Sequence, residues 1–192
     1  MSNHIDFYFD IISPYAYIAH KKILKHKNIV FNYKPIYLGG LHKLAGIDSP
    51  AFNKYKLRNN INDCKLVSEK NNIKFKWNSN FPINSLSIMR GYISVGKDKQ
   101  DDYLNCFFDA YWKDDQDLSN IENFSKILNI LNIANDEFFK SIKEQSIKDK
   151  LIKLTADAFQ REVFGTPTFI VNNKTFWGQD RLEYALEEVN NN

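Results

Sequence analysis

The sequence predicts an α/β fold in which a small sheet is interrupted by a long helical segment. Strand-like and helix-like patterns alternate near the N-terminus, and a helix–strand–strand–helix order occupies the C-terminal part. Between them, residues 41–150 follow mostly helical spacing. With 192 residues, of which 43% are hydrophobic, the chain is long enough for one domain that carries a large insertion.

The N-terminal part predicts a parallel strand–helix–strand unit. Residues 5–9 alternate between apolar and polar side chains and then turn aromatic, as in a short buried strand. Ser13 followed by Pro14 is a strong helix-start signal, and apolar residues at helical spacing extend that helix to about Lys25. Residues 29–38 predict a second strand that ends at Gly39-Gly40. This order favours a right-handed crossover between parallel strands.

The helical middle of the chain predicts the start of one helix and the end of another. Ser119 and Glu122 have the spacing of a capping box, in which the serine begins the helix. From residue 147 onwards, apolar residues at helical spacing predict a helix that ends near Val163, with Gly165 as its C-terminal glycine.

The C-terminal part predicts a hairpin and a last helix. Strands over residues 166–171 and 174–177 flank a turn at Asn172-Asn173, and a helix follows over residues 181–189. The complete order predicts a thioredoxin-like α/β fold with a large all-helical insertion after the second strand. We expect residues 1–40 and 151–192 to form the thioredoxin-like domain and residues 41–150 to form the helical insertion domain.

The composition argues against several classes of function. The formal net charge of +3 is small and scattered, which gives little support for a nucleic-acid surface. Cys64 and Cys106 form no Cys-x-x-Cys pair and have no histidine close by, so we expect reduced thiols and no metal site. No apolar run approaches the ~20 residues of a membrane span. The first seven residues lack the pattern of a signal peptide, so we expect a cytoplasmic protein.

Ser13 and Pro14 mark the first candidate site. A serine at a helix N-terminus lies beside unpaired backbone N–H groups and at the positive end of the helix dipole. That environment stabilises an anion such as a thiolate, and the hydroxyl adds one more donor directed at the sulfur atom. The alternative is an ordinary N-cap that only starts the helix, and spacing alone favours this alternative because Ser-Pro helix starts are common.

Thr166 and Pro167 mark the second candidate site. A proline at the first residue of a strand cannot donate to the ladder. If the bond before Pro167 is cis, the backbone groups of Thr166 are free to pair with a peptide as an extra strand does. A trans proline that only starts a strand is the alternative, and the residues alone do not decide between the two. In a thioredoxin fold, this turn and the start of the first helix meet at one cleft.

Several stretches of sequence carry a resemblance to a known family. They are Ser13-Pro14-Tyr15, Leu38-Gly39-Gly40, Phe81-Pro82-Ile83-Asn84-Ser85-Leu86 with Arg90, Ala110-Tyr111-Trp112, and residues 163–169 and 176–182. Together they resemble the 2-hydroxychromene-2-carboxylate isomerases, which are close to the kappa-class glutathione transferases. Both families belong to the thioredoxin-fold group that includes the periplasmic disulfide oxidoreductases. The resemblance covers nearly the whole chain, and its most specific segment, residues 176–182, favours the isomerase.

The resemblance implies a bound glutathione whose thiolate lies at the Ser13 hydroxyl. The γ-glutamyl end is then held at the start of the last helix, where the Asp180 carboxylate suits an ammonium group. Without the resemblance, an N-cap is the preferred interpretation of Asp180. The implied cofactor-binding residues are Ser13, Pro14, Tyr15, Thr166, Pro167, Gln179, Asp180 and Arg181.

The resemblance also implies the reaction and a homodimer. In the isomerase, the glutathione thiolate adds reversibly to the hydroxychromene acid, the ring opens, a bond rotates, and the thiol is regenerated. Asn84 and Arg90 match family residues implied to bind the substrate, and a cation at Arg90 suits its carboxylate. A surface salt bridge is the alternative role for Arg90. A kappa-type transferase that conjugates glutathione to electrophiles is the alternative function, and Ser13 serves both.

Two further alternatives follow from departures from the family pattern. A disulfide oxidoreductase is disfavoured because Ser13, and not a cysteine, stands at the start of the first helix. Ile47 replaces an asparagine that helps to hold glutathione in the relatives, which keeps a non-catalytic binding protein as an alternative. Glu162 replaces a glycine that usually precedes Val-Phe-Gly.

Overall fold

A mixed four-stranded sheet organises the computed structural model, which describes residues 4–190. The strands are β1 His4–Phe9, β2 Val30–Pro35, β3 Thr168–Val171 and β4 Lys174–Trp177, in the spatial order β2-β1-β3-β4. β1 pairs in parallel with β2 and antiparallel with β3, and β3 pairs antiparallel with β4. Asn172 and Asn173 turn the hairpin with φ of 50° and 60°, which confirms the predicted turn.

Helices follow the second strand in a long series, as predicted. α1 Pro14–Ile23 precedes that strand, and α9 Leu182–Asn190 follows the hairpin. The helices between β2 and β3 are α2 Leu38–Ala45, α3 Lys54–Lys70, α4 Leu86–Ser94, α5 Lys97–Trp112, α6 Ile121–Ile130, α7 Asn135–Ser141 and α8 Gln145–Gln160. Short 3-10 turns lie at Pro50–Phe52 and Gln179–Arg181. The order of elements confirms the thioredoxin-like fold with a helical insertion, whereas the exact domain boundaries remain a prediction.

The predicted second strand is too long at its C-terminal end. β2 ends at Pro35 and α2 begins at Leu38, so Gly39 and Gly40 lie in the first turn of a helix. The N–H of Leu38 donates to a carboxylate oxygen of Asp10 at 2.8 Å, which satisfies one of the free donors at the helix start. This long-range partner could not be identified from the local pattern.

The predicted capping box at Ser119 and Glu122 is wrong by one residue. Asn120 is the N-cap of α6, and its side-chain oxygen accepts the N–H of Glu122 at 2.8 Å. The hydroxyl of Ser119 donates instead to the carboxylate of Asp117 at 2.5 Å. Asparagine and serine are comparable N-caps, so adjacent residues of these types leave the helix start ambiguous by one position.

The predicted C-terminal end of the helix that precedes β3 is also wrong. α8 ends at Gln160, and Glu162, not Gly165, adopts the left-handed conformation with φ of 61°. The N–H groups of Glu162 and Val163 donate to the carbonyls of Phe159 and Ala158, each at 3.0 Å, and form a Schellman motif. A glutamate therefore holds a position that glycine adopts with less strain.

One hydrophobic core joins the sheet to the helical insertion. The ring of Phe9 in β1 lies 5.2 Å from that of Tyr92 in α4 and 6.3 Å from that of Phe108 in α5. The indole N–H of Trp112 donates to the carbonyl of Ile11 at 2.7 Å, in the connection between β1 and α1. The insertion is thereby packed directly against the chain segment that leads into Ser13.

Two further expectations concern the membrane and the thiols. In the part of the chain that the structure describes, no helix combines the length and the apolar character needed to cross a bilayer. Cys64 and Cys106 are free thiols, in agreement with the prediction. Burial raises the pKa of Cys64 to about 12, which keeps this thiol protonated and unreactive at neutral pH.

Candidate active site

Ser13 caps α1 and contacts the turn before β3. Its hydroxyl oxygen accepts the N–H of Ala16 at 3.2 Å, so the N-cap role is present, and Pro14 occupies the first helical turn. The same hydroxyl donates to the carbonyl of Thr166 at 2.9 Å. Ser13 is only 4% exposed, so this hydrogen bond lies almost entirely out of solvent. The structure thus brings the two predicted motifs into direct contact.

The bond between Thr166 and Pro167 is cis, which decides between the two alternatives that the sequence left open. The side-chain oxygen of Thr166 is buried and has no hydrogen-bond partner among residues 4–190. The carbonyl of Pro167 accepts the N–H of Gly178 at 3.0 Å. This bond places the start of the segment 178–181 beside the turn.

Gln179, Asp180 and Arg181 differ in how much of each is available to a ligand. Gln179 is buried, and its side-chain oxygen accepts the ammonium of Lys22 at 2.5 Å. Asp180 and Arg181 form an ion pair at 2.9 Å, and both side chains are about half exposed. Gly178, and not Asp180, is the N-cap of the 3-10 turn, so the Asp180 carboxylate has no capping role there.

Tyr15 anchors α1 to α3 through its side chain. Its hydroxyl donates to the carboxylate of Asp63 at 2.8 Å. Burial, together with the neighbouring Cys64 and Asp63, raises the pKa of Tyr15 far above its ordinary value, so the phenol stays neutral. The part of Tyr15 that suits a ligand is its backbone N–H, in the first turn of α1.

Asp10 is a site residue for which the sequence analysis gave no role. Its carboxylate is fully buried and accepts the N–H of Ile12 at 3.1 Å, the N–H of Leu38 at 2.8 Å and the hydroxyl of Ser85 at 3.0 Å. It therefore joins the starts of α1, α2 and α4. A carboxylate directly after a buried strand was the available signal, because such a group needs several partners.

Asn84 and Arg90 are positioned by α4. Because the neighbouring Ser85 donates to Asp10, and the carbonyl of Asp10 accepts the N–H of Ser13 at 3.1 Å, the start of α4 lies close to the start of α1. The side-chain oxygen of Asn84 accepts the N–H of Leu86 at 3.0 Å. Arg90 forms no ion pair within the described residues, and its Nε is buried without a partner. The salt-bridge alternative for Arg90 is therefore not found there.

His20 is a second buried titratable group on α1. Its Nε2 lies 2.9 Å from the side-chain oxygen of Asn105, which can only accept, so Nε2 carries the proton. Its Nδ1 lies 2.9 Å from the hydroxyl of Tyr33 and accepts from it. Burial lowers the pKa of His20 to about 4, although the bond to Asn105 favours the protonated form. The ring is therefore neutral at physiological pH.

Asp10 and His20 are expected to give the stability opposite dependences on pH. Burial raises the pKa of Asp10 to about 6, so the folded state binds this proton more tightly than the unfolded state does. The free energy of unfolding therefore falls as the pH rises from 4 to 6. The lowered pKa of His20 makes stability rise over nearly the same range. Each effect amounts to about 3 kcal/mol, from about 1.4 kcal/mol per unit of pKa shift.

Two variants separate these effects. In Asp10→Asn, the free energy of unfolding is expected to rise more steeply with increasing pH than in wild type. In His20→Gln, it is expected to fall with increasing pH. Urea denaturation at a series of pH values between 4 and 7 measures both slopes. Parallel pH profiles for the two variants would contradict the assignment of these two groups.

The departures from the family pattern lie on the surface. Ile47 is 39% exposed and directly follows Gly46, the C-cap of α2. Glu162, the second departure, is also exposed and lies just after the end of α8. None of these positions disturbs the contact between Ser13 and Thr166.

Comparisons with known proteins agree with this architecture. The family described as DSBA-like thioredoxin domain matches residues 4–190. A 2-hydroxychromene-2-carboxylate isomerase from Sphingobium xenophagum is 26% identical over 96% of each chain. Glutathione S-transferase kappa 1 from Caenorhabditis elegans is 24% identical over 95% of this chain and 89% of its own.

A solved structure of a 2-hydroxychromene-2-carboxylate isomerase has the same fold. It superposes with a TM-score of 0.88 at 23% identity and covers 97% of this chain and 94% of its own. Its similarity, together with the named relatives, confirms the resemblance that the sequence motifs predicted. By its match over residues 4–190, the chain belongs to the family of DSBA-like thioredoxin domains.

Proposed function

We propose that this protein is a glutathione-dependent isomerase of 2-hydroxychromene-2-carboxylate or a related unsaturated aromatic acid. The observation that carries the proposal is the position of the Ser13 hydroxyl, at the N-cap of α1 and 2.9 Å from the carbonyl of Thr166. The relatives named as isomerases support the enzyme class. The proposal includes a homodimer in the cytoplasm, which rests on the resemblance and on the composition.

The residues at the start of α1 fit a thiol tripeptide. The first-turn N–H groups and the helix dipole favour a thiolate, and Ser13 adds a hydroxyl donor. The partnerless side-chain oxygen of Thr166 is a buried group that a polar ligand would satisfy. Asp180, about half exposed, suits the ammonium of the γ-glutamyl end. When bound, glutathione supplies a thiolate that adds reversibly to the unsaturated acid.

Ser13 must change its hydrogen bond to take part. In the described state its proton is directed at the carbonyl of Thr166, and the residue is only 4% exposed. A peptide N–H that pairs with the Thr166 carbonyl would replace Ser13 as the donor and release the hydroxyl to face a sulfur atom. Binding of a thiolate at this hydroxyl therefore requires the hydrogen bond to Thr166 to break and the surroundings of Ser13 to open.

Arg90 favours an acid as the substrate. A buried guanidinium nitrogen without a partner is costly unless an anion occupies the site. Arginine binds a carboxylate through two parallel hydrogen bonds, which also fixes the orientation of the substrate. Asn84, exposed at the start of α4, adds an amide nearby. A neutral electrophile would leave Arg90 without this role.

A kappa-type glutathione transferase is the second candidate, supported by the relative of that name. A disulfide oxidoreductase fits less well, because Ser13 cannot form a disulfide and burial raises the pKa of Cys64 to about 12. Both glutathione-dependent candidates use Ser13. They differ in whether free glutathione is returned or consumed.

Product analysis separates the two candidates. With a hydroxychromene acid and glutathione, the isomerase is expected to form the trans isomer while the concentration of free thiol stays constant. A transferase would instead consume the thiol with an electrophilic aromatic halide. If calorimetry detects no binding of glutathione at millimolar concentration, the proposed function is wrong and a binding protein without this cofactor is favoured.

An Arg90 variant tests the role of the substrate carboxylate. Arg90→Gln is expected to raise KM for the acid by about tenfold or more, because a charge-assisted hydrogen bond is lost, while glutathione affinity is unchanged. The matched control is Arg58→Gln, an exposed arginine on α3. An unchanged KM would show that Arg90 does not contact the substrate.

A further inference from the structure

A groove with aromatic walls lies between the end of α8 and the edge strand β4. It has a volume of about 560 Å³ and is lined by Phe159, Glu162, Val163, Phe164, Thr175 and Trp177. Small-molecule sites commonly measure about 300–1,000 Å³. None of these residues belongs to the proposed glutathione or substrate site, although Phe164 lies only two positions before Thr166.

Two large rings in this groove face solvent. Phe164 is 40% exposed, Trp177 is 54% exposed, and their ring centroids lie 4.9 Å apart. Two other exposed rings each have a cation of the same chain over them: Lys54 lies over Tyr55 and Arg181 over Tyr184. Among the described residues, no lysine or arginine lies over Phe164 or Trp177. The two rings are therefore open to an external group.

Glu162 brings a negative charge to the same groove. Its side chain is exposed and forms neither an ion pair nor a hydrogen bond with any described residue. Its φ of 61° is strained for a glutamate and unstrained for a glycine. The position therefore combines a backbone cost with a carboxylate that has no partner among residues 4–190.

We infer that this groove binds a small organic cation, such as a quaternary ammonium compound with an apolar body. The faces of aromatic rings attract cations through their quadrupole, and an adjacent carboxylate adds a direct charge interaction. The same carboxylate disfavours an anion. A protein partner fits less well, because six lining residues fall far short of the 20–30 that each side of a stable protein interface contributes.

Choline and its neutral isostere, in which carbon replaces the ammonium nitrogen, test the inference directly. The probe signal is the indole N–H resonance of Trp177, followed by two-dimensional NMR during each titration. Choline is expected to shift this resonance to saturation, whereas the isostere is expected to bind at least about fivefold more weakly. Equal shifts by the two compounds, or no saturable shift by choline, would overturn the inference.

Two substitutions at Glu162 separate binding from folding. Glu162→Gln keeps the size of the side chain and is expected to lower the affinity for choline about fivefold. Glu162→Gly is expected to lower the affinity for choline by the same factor. Its midpoint of thermal unfolding is expected not to decrease, because glycine adopts this φ without strain. Glu137→Gln, on the exposed side of α7, is the matched control and is expected to bind choline as wild type does.

The outcome does not depend on the proposed isomerase. The titration uses neither glutathione nor an aromatic acid, so a failure of choline binding leaves the proposed function untouched, and the reverse also holds. Choline binding that is unaffected by Glu162→Gln would overturn the assignment of the carboxylate.

Discussion

Ser13→Ala is expected to lower kcat for the proposed isomerisation by about a hundredfold or more. The reason is the loss of a hydroxyl donor that is directed at a developing or resident negative charge, an effect that typically costs 10²–10³ in rate. The fold should lose only about 1–2 kcal/mol, because one N-cap and one hydrogen bond to the Thr166 carbonyl disappear. Steady-state kinetics at saturating glutathione and urea denaturation measure the two quantities.

A second N-cap provides the matched control. Asn53 caps α3, where its side-chain oxygen accepts the N–H groups of Tyr55 and Lys56, both at 3.1 Å. Asn53→Ala is expected to cost a similar free energy of unfolding, about 1 kcal/mol, and to leave kcat unchanged. If both variants lose activity in proportion to stability, Ser13 is only a structural cap.

Gly91→Ala is expected to destabilise the fold by about 2–3 kcal/mol, which is the largest effect on stability that we predict for a single methyl group. A Cβ at this position of α4 would lie 2.2 Å from the hydroxyl of Tyr103 and 2.4 Å from the ring of Phe138. Both rings are buried, and the Tyr103 hydroxyl is held by its bond to the carbonyl of Ile88 at 3.0 Å. Neither neighbour can give way cheaply.

Thermal and urea denaturation measure the effect of this substitution. Ser87→Ala, at an exposed position of the same helix, is the control and is expected to change stability by less than about 0.5 kcal/mol. An unchanged midpoint for Gly91→Ala would mean that α4 can shift away from Tyr103 and Phe138.

Local sequence signals were sufficient for most of the fold. The Ser13-Pro14 start of α1 and the Asn172-Asn173 turn depend on neighbouring residues alone, so their chemistry can be read without tertiary information. The errors arise where a distant group decides. α2 begins at Leu38 because the buried carboxylate of Asp10 accepts its N–H, and no local pattern records that contact.

The candidate site shows the same division. The residue types at Ser13 and Thr166 were predicted to meet, and they do so across 153 positions of sequence. The sequence could not reveal that the serine hydroxyl would donate to the threonine carbonyl, or that Ser13 would be almost completely buried. The sequence pattern also predicts that Gly165 ends α8. In the structure, Glu162 adopts the left-handed conformation there despite the strain.

The shared core between sheet and insertion restricts how the protein can move during a reaction cycle. A hinge needs a boundary between two parts of the protein that few contacts cross. Here Phe9 packs against both Tyr92 and Phe108, and Trp112 donates a hydrogen bond to Ile11. Separating the sheet from the insertion would expose several aromatic rings to water at a cost of several kcal/mol. We therefore expect any movement that exposes Ser13 to be local to the start of α1 and not a separation of the sheet from the insertion.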